Sequence, residues 1–161
     1  MEQEPRIEVF PEKRFVGKRI SMCISQNKTR ELWQGFMPRR TEIKDVIGSE
    51  FYSIEVYPPG YFDHFDPEMV FDKWASVQVA TAEAIPDGMV ALLVPEGLYA
   101  VFIHKGPASL GPETFLYIFG SWIPESQYEV DDRPHFEIMD HRYKGEAIDS
   151  EEELRIPIRK K

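Results

Sequence analysis

Cysteine is almost absent: Cys23 stands alone in 161 residues. That excludes an intramolecular disulfide and a cysteine-built zinc site. No apolar run approaches the roughly 18 residues a membrane helix needs. The opening MEQEPRIEVF lacks the basic-then-apolar layout of a secretory signal. Positive charge is also short. Nineteen Lys and Arg against 28 Asp and Glu leave a formal charge of −9, which repels a phosphate backbone and argues against direct nucleic-acid binding. The basic end at 159–161 and the pair Arg39 and Arg40 form no stripe. HExxH, GxSxG, GxGxxG and a phosphate loop are all missing. His64, His104, His135 and His141 show no metal-ligand spacing, so neither metal nor cofactor is expected. What remains is one domain expected in the cytoplasm, with no membrane association.

Aromatic residues are plentiful, at 13%, enough to build a core and leave rings over for a pocket. Residues 6–25 read as extended, interrupted by Pro11. Residues 27–38 place Leu32, Trp33, Phe36 and Met37 on one helical face, with Asn27 to cap the start and Pro38 to end it. Residues 50–58 and 72–81 alternate as strands, and 89–106 reads as two extended runs around VPEG. Pro112 opens a second helix, in which Phe115, Leu116, Phe119, Trp122 and Ile123 share a face. Residues 134–143 and 153–160 close the chain as strands, and the acidic run 149–153 reads as a solvated turn.

The two halves, about 5–82 and 88–159, resemble each other. VFPEKRFVGKRIS aligns with LVPEGLYAVFIHK, WQGFMP with FGSWIP, and IEV at 54–56 with FEI at 136–138. The fold expected is therefore α+β: duplicated strand-helix-strand units in one antiparallel sheet of about eight strands. Two helices lie on one face, with a central cleft where the halves meet. Alternation puts His135, Glu137 and Met139 on one face of their strand, and Phe51, Ser53, Glu55 and Tyr57 on one face of theirs. Parity also assigns Trp74 to this mixed face of rings and carboxylates, opposite the aliphatic face expected to seat the helices. The repeat makes Glu55 the counterpart of Glu137. Trp33 and Phe36, in the segment aligned with that of Trp122, complete the candidate wall. A face of this composition suits a ligand cleft in which rings stack and an acid holds a cation.

The stretches FGSWIPESQYEVDDRPHFEIMD, EEELRIPI, KWASVQV and VPEGLYAVFIHKG resemble, in order and over nearly the whole chain, the GyrI-like small-molecule-binding domain. That family includes gyrase-inhibitor-like proteins and effector domains of AraC- and MerR-type transcription regulators. The resemblance implies a cleft for lipophilic, often cationic molecules. It makes Glu137 the acid at that cleft and Trp122 a wall residue by family position, beside Trp74 by parity. It also implies a stand-alone member that uses the whole chain for the effector-type fold. Such a module would act through a protein partner, a transcription regulator or DNA gyrase as a gyrase-interacting inhibitor. Some family members resemble hydrolases of electrophilic small molecules that use a Tyr/Glu pair. On that alternative Glu137 would be catalytic with Tyr52, Tyr57, Tyr99 or Tyr117.

Overall fold

The computed structural model describes residues 3–161. The chain runs through β1 (Arg6–Phe10), β2 (Lys13–Met22), α1 (Thr29–Phe36), β3 (Phe51–Val56) and β4 (Phe71–Val79). It continues through β5 (Val90–Val94), β6 (Gly97–Lys105), α2 (Gly111–Tyr117), α3 (Ile123–Glu125), β7 (Tyr128–Val130), β8 (His135–Met139) and β9 (Glu151–Lys160). The nine strands form one antiparallel sheet in the order β1-β6-β9-β8-β3-β4-β2-β5, with β7 also paired to β9. Match β1 with β5, β2 with β6, β3 with β8 and β4 with β9, and the order reads the same from either end. β3 and β8 meet at the centre, with Ile54 opposite Phe136.

Links of two residues, 11–12 and 95–96, force the sheet to curl. β1 lies at one margin while β2 lies next to the other, and so short a link spans only about 10 Å. The inside of the curl is packed with Phe10, Phe15, Tyr52, Ile54, Trp74, Val94, Tyr99 and Phe136. Phe10 meets Phe136 at 4.7 Å between ring centres, and Phe15 meets Tyr52 at 4.7 Å.

The helices cover the outer face. Leu32 and Phe36 of α1 press onto Val16, Ala75, Val77 and Val79. Ile118, Phe115 and Trp122 press onto Phe102, Leu154, Ile156 and Ile158. Each side chain so buried contributes about 1.5–3 kcal/mol. Asn27 Oδ1 accepts from the Thr29 amide at 2.9 Å at the start of α1. Past Phe36 the chain tightens into a 3-10 turn, Met37–Glu42, with Pro38 in its first turn. Between the two helical packs, β3 and β8 run side by side.

Two local expectations are corrected. The second helix does not keep one apolar stripe. Gly111, Thr114 and Ile118 face the sheet at ordinary helical spacing, Leu116 is 74% exposed, and a π turn follows over Ile118–Trp122. The acidic run 149–153 is no turn beyond Ser150, because Glu151 already opens β9.

Candidate functional site

The β3–β8 register builds a strip on the helix side. Phe51 stands opposite Met139, Ser53 opposite Glu137, and Glu55 opposite His135. Tyr57 follows β3 at the same parity, and β4 sets Lys73 beside Glu55. Glu55 is 3% exposed and accepts from Ser53 Oγ at 3.1 Å. Lys73 Nζ lies 4.0 Å from Glu55 Oε2. Burial pushes the Glu137 carboxyl well above its ordinary range; the Glu55 charge and a hydrogen bond to Glu55 push the same way, and Lys73 opposes them. That direction favours the protonated form of the Glu137 carboxyl beside Glu55. Glu152, on β9, is also raised, by burial, with His104 and Lys73 countering and the Glu55 charge adding.

Tyr57 is the tyrosine next to the pair. Burial raises its hydroxyl first, and the charges of Glu55 and Glu137 raise it further. Tyr52 lies inside the curl. The Tyr99 hydroxyl donates to the Pro134 carbonyl at 2.8 Å, and that of Tyr117 to the Gln3 carbonyl at 3.0 Å.

Rings close one end of the strip. His135, 3% exposed, has Tyr57 edge-on at 4.8 Å and Phe62 stacked at 5.2 Å. Phe62 stacks in turn on Phe119 at 4.8 Å, and Tyr61 lies 4.5 Å from Tyr57. Tyr61 and Phe62 come from the loop after β3, which turns at Gly60 with φ +79°. Burial, then the nearby Arg133 charge, holds the His135 imidazole down at about 3, so it is neutral. Its Nδ1 has no hydrogen-bond partner among the described residues. Outside this wall lies a cavity of about 390 Å³, rimmed by Asp63, Asp132, Ile123 and Pro124.

The segment DDRPHFE holds the strip in place from β8. Arg133 donates to Asp131 at 2.7 Å and to the Leu98 and Ile158 carbonyls at 2.6 and 3.2 Å, and lies 4.8 Å from the Tyr99 ring. A Cβ on Gly97 would fall inside that guanidinium. Phe136 then faces into the curl, which leaves His135 and Glu137 on the helix side.

Of the candidate site residues, Glu137, Glu55, His135, Tyr57, Phe51 and Met139 share the strip. Trp33 joins them through an edge contact with Phe51 at 6.2 Å. Three do not. Trp74 lies on the opposite face: the register places it beside Ile54, inside the curl. The helices sit on the same face as the glutamates, because Ser53 pairs with Ala75. Phe36 is fully buried beneath α1. Trp122 packs on Phe102 at 5.3 Å and Tyr128 at 6.1 Å, on an outer groove shared with Tyr117 and Ile7. Sequence reasoning missed Lys73, Glu152, Phe62 and Phe119. Lys73 was legible two residues before Ala75, and Glu152 two residues before Leu154; both follow from strand alternation.

A family model, the GyrI-like small molecule binding domain, matches residues 3–159. The transcriptional regulator BrlR of Pseudomonas aeruginosa is 33% identical over 130 residues, which takes in 80% of this chain and 45% of that regulator. The chain thus spans less than half of that relative's length. Among solved structures, SAV2435 bound to tetraphenylphosphonium superposes with a TM-score of 0.73 at 13% identity, covering 98% of this chain and 94% of that one. The C-terminal domain of EcmrR gives 0.72 at 13% identity, covering all of both chains. Those two likenesses are of fold. The family model spans nearly the whole chain, and the chain belongs to the GyrI-like small-molecule-binding domain family.

Proposed function

We propose that this chain is a regulatory or sequestering module that binds a lipophilic cation on the β3–β8 strip. The observation that carries this reading is the Glu55 and Glu137 carboxyl pair, set beside a wall of rings. Rings offer stacking and cation–π attraction to a flat or bulky cation. An acid that gives up its proton as the cation arrives adds a charge-assisted contact. A neutral ligand of the same shape receives only the ring contacts. The tetraphenylphosphonium complex of SAV2435 supplies a suitable probe. A signal that depends on ligand would pass to a partner protein, a transcription regulator or gyrase. The net charge of −9 disfavours direct contact with nucleic acid.

The test is titration of the purified protein with tetraphenylphosphonium and with neutral triphenylphosphine oxide, followed by quenching of tryptophan fluorescence. Glu137→Gln should weaken the phosphonium about tenfold and leave the neutral ligand within about twofold. Equal affinity of both proteins for the phosphonium would overturn the role given to the acid.

A second reading, hydrolysis of electrophilic small molecules, gains from Tyr57 standing beside the carboxyl pair. It predicts consumption of an added epoxide that is lost in Glu137→Gln. Saturable binding without consumption counts against it.

A further inference from the structure

The acids of the strip are not left to a ligand alone. Lys73 folds inward, with its side chain 15% exposed and its Nζ 4.0 Å from Glu55 Oε2. It donates to Thr29 Oγ1 at 3.1 Å, and Thr29 in turn donates to Met22 Sδ at 3.8 Å. Thr29 is the first residue of α1, so the ammonium is held between a strand and a helix. A lysine serving only solubility would extend into water. This one is fixed over the acids, and its charge also reaches Glu137 and Glu152.

We infer, resting on the reading just given, that Lys73 is a built-in cation that takes up one carboxylate of the strip and so restricts the site to ligands carrying a single positive charge. Glu55 and Lys73 neutralise each other. Glu137 is then the acid left to answer a ligand. A monocation meets that one acid. A dication meets the same acid, and its second charge meets a neutralised pair, which does not repay the cost of taking that charge out of water. At about 7 Å and an effective dielectric of about 20, the attraction of an unpaired Glu55 for that second charge shifts affinity by about tenfold or more. Without the ammonium, Glu55 becomes a second free acid, and the preference moves toward two charges.

Three probes of nearly one shape separate charge from fit: methyl viologen, a dication; N-methyl-phenylpyridinium, a monocation; and phenylpyridine N-oxide, which is neutral. Their affinities are measured by calorimetry on the wild type, Lys73→Gln, Lys73→Met and Lys73→Arg, each first shown folded by circular dichroism. Gln keeps a hydrogen bond to Thr29 without the charge, Met removes both, and Arg keeps the charge. Gln and Met should each tighten the dication about tenfold or more, tighten the monocation less, and leave the neutral probe within about twofold. Arg should behave as the wild type. An unchanged ratio of dication to monocation in Gln and Met, with Glu137→Gln still weakening the monocation, overturns the role of Lys73 alone. Equal loss of all three probes in Gln and Met also overturns it, by making Lys73 a structural residue. Failure of both cations to bind any of the four proteins overturns the parent reading and this one together.

Discussion

Burial and the Glu55 charge raise the Glu137 carboxyl well above its ordinary value of 4.5. At this group the folded state therefore binds more protons than the unfolded chain above that pH. The contribution of Glu137 to stability is complete below about pH 4.5 and drains away as pH rises through the folded value. His135 acts in the opposite direction. Burial lowers it from 6.5 to about 3, so its contribution is present above about pH 6.5 and is lost as pH falls. Glu137→Gln keeps the shape of the protonated acid and removes its titration. Urea denaturation across pH should show the variant matching the wild type in mild acid and overtaking it toward alkaline pH. The gap should widen by up to about 1.4 kcal/mol per pH unit within the titration window. Parallel curves would show that Glu137 is already ionised when the fold is empty. The same proton has a functional side: a cation that binds below the folded value must expel it, so affinity should rise with pH.

The elements themselves were largely legible. Alternation in FYSIEV and HFEIM sorted Glu55 and Glu137 onto one face of their strands, because each strand has period two and few breakers. What alternation does not carry is the register between strands. Ser53 meets Ala75 and Ile54 meets Trp74. That pairing sends Trp74 into the curl and puts the helices on the glutamate face. Ring content suggested the reverse, since aliphatic Ala75, Val77 and Val79 looked unlike the neighbours of an acid. In fact the aliphatic positions of β4 and the acids of β3 and β8 share one face at different distances from α1. Leu116 was misplaced for a second reason: the face that packs carries the small residues Gly111 and Thr114 before Ile118, so counting large apolar residues alone picked the wrong side of the helix. Phe62 escaped notice because it reaches His135 from a loop, where no period applies.

At the scale of the whole molecule the sheet separates two duties by face. The helix side carries the strip of acids and rings, with Glu55 and His135 buried and Lys73 set beside Glu55. The inside of the curl is a closed core that ties both margins of the sheet together. Phe10 is its fastener: 5% exposed, it touches Phe136 and Tyr99 at 4.7 and 5.8 Å, with the Arg155 guanidinium 5.3 Å from its ring. It also sits at the very end of β1, where the short link crosses to β2. Phe10→Ala should cost about 3–5 kcal/mol in chemical denaturation, a large share of the stability of a domain this size. Under conditions where circular dichroism still shows the variant folded, its affinity for tetraphenylphosphonium should stay within about twofold of the wild type, because no strip residue lines the curl. Loss of binding by a folded Phe10→Ala protein would mean that the curvature of the sheet sets the spacing of Glu55 and Glu137, and that the two faces act as one device.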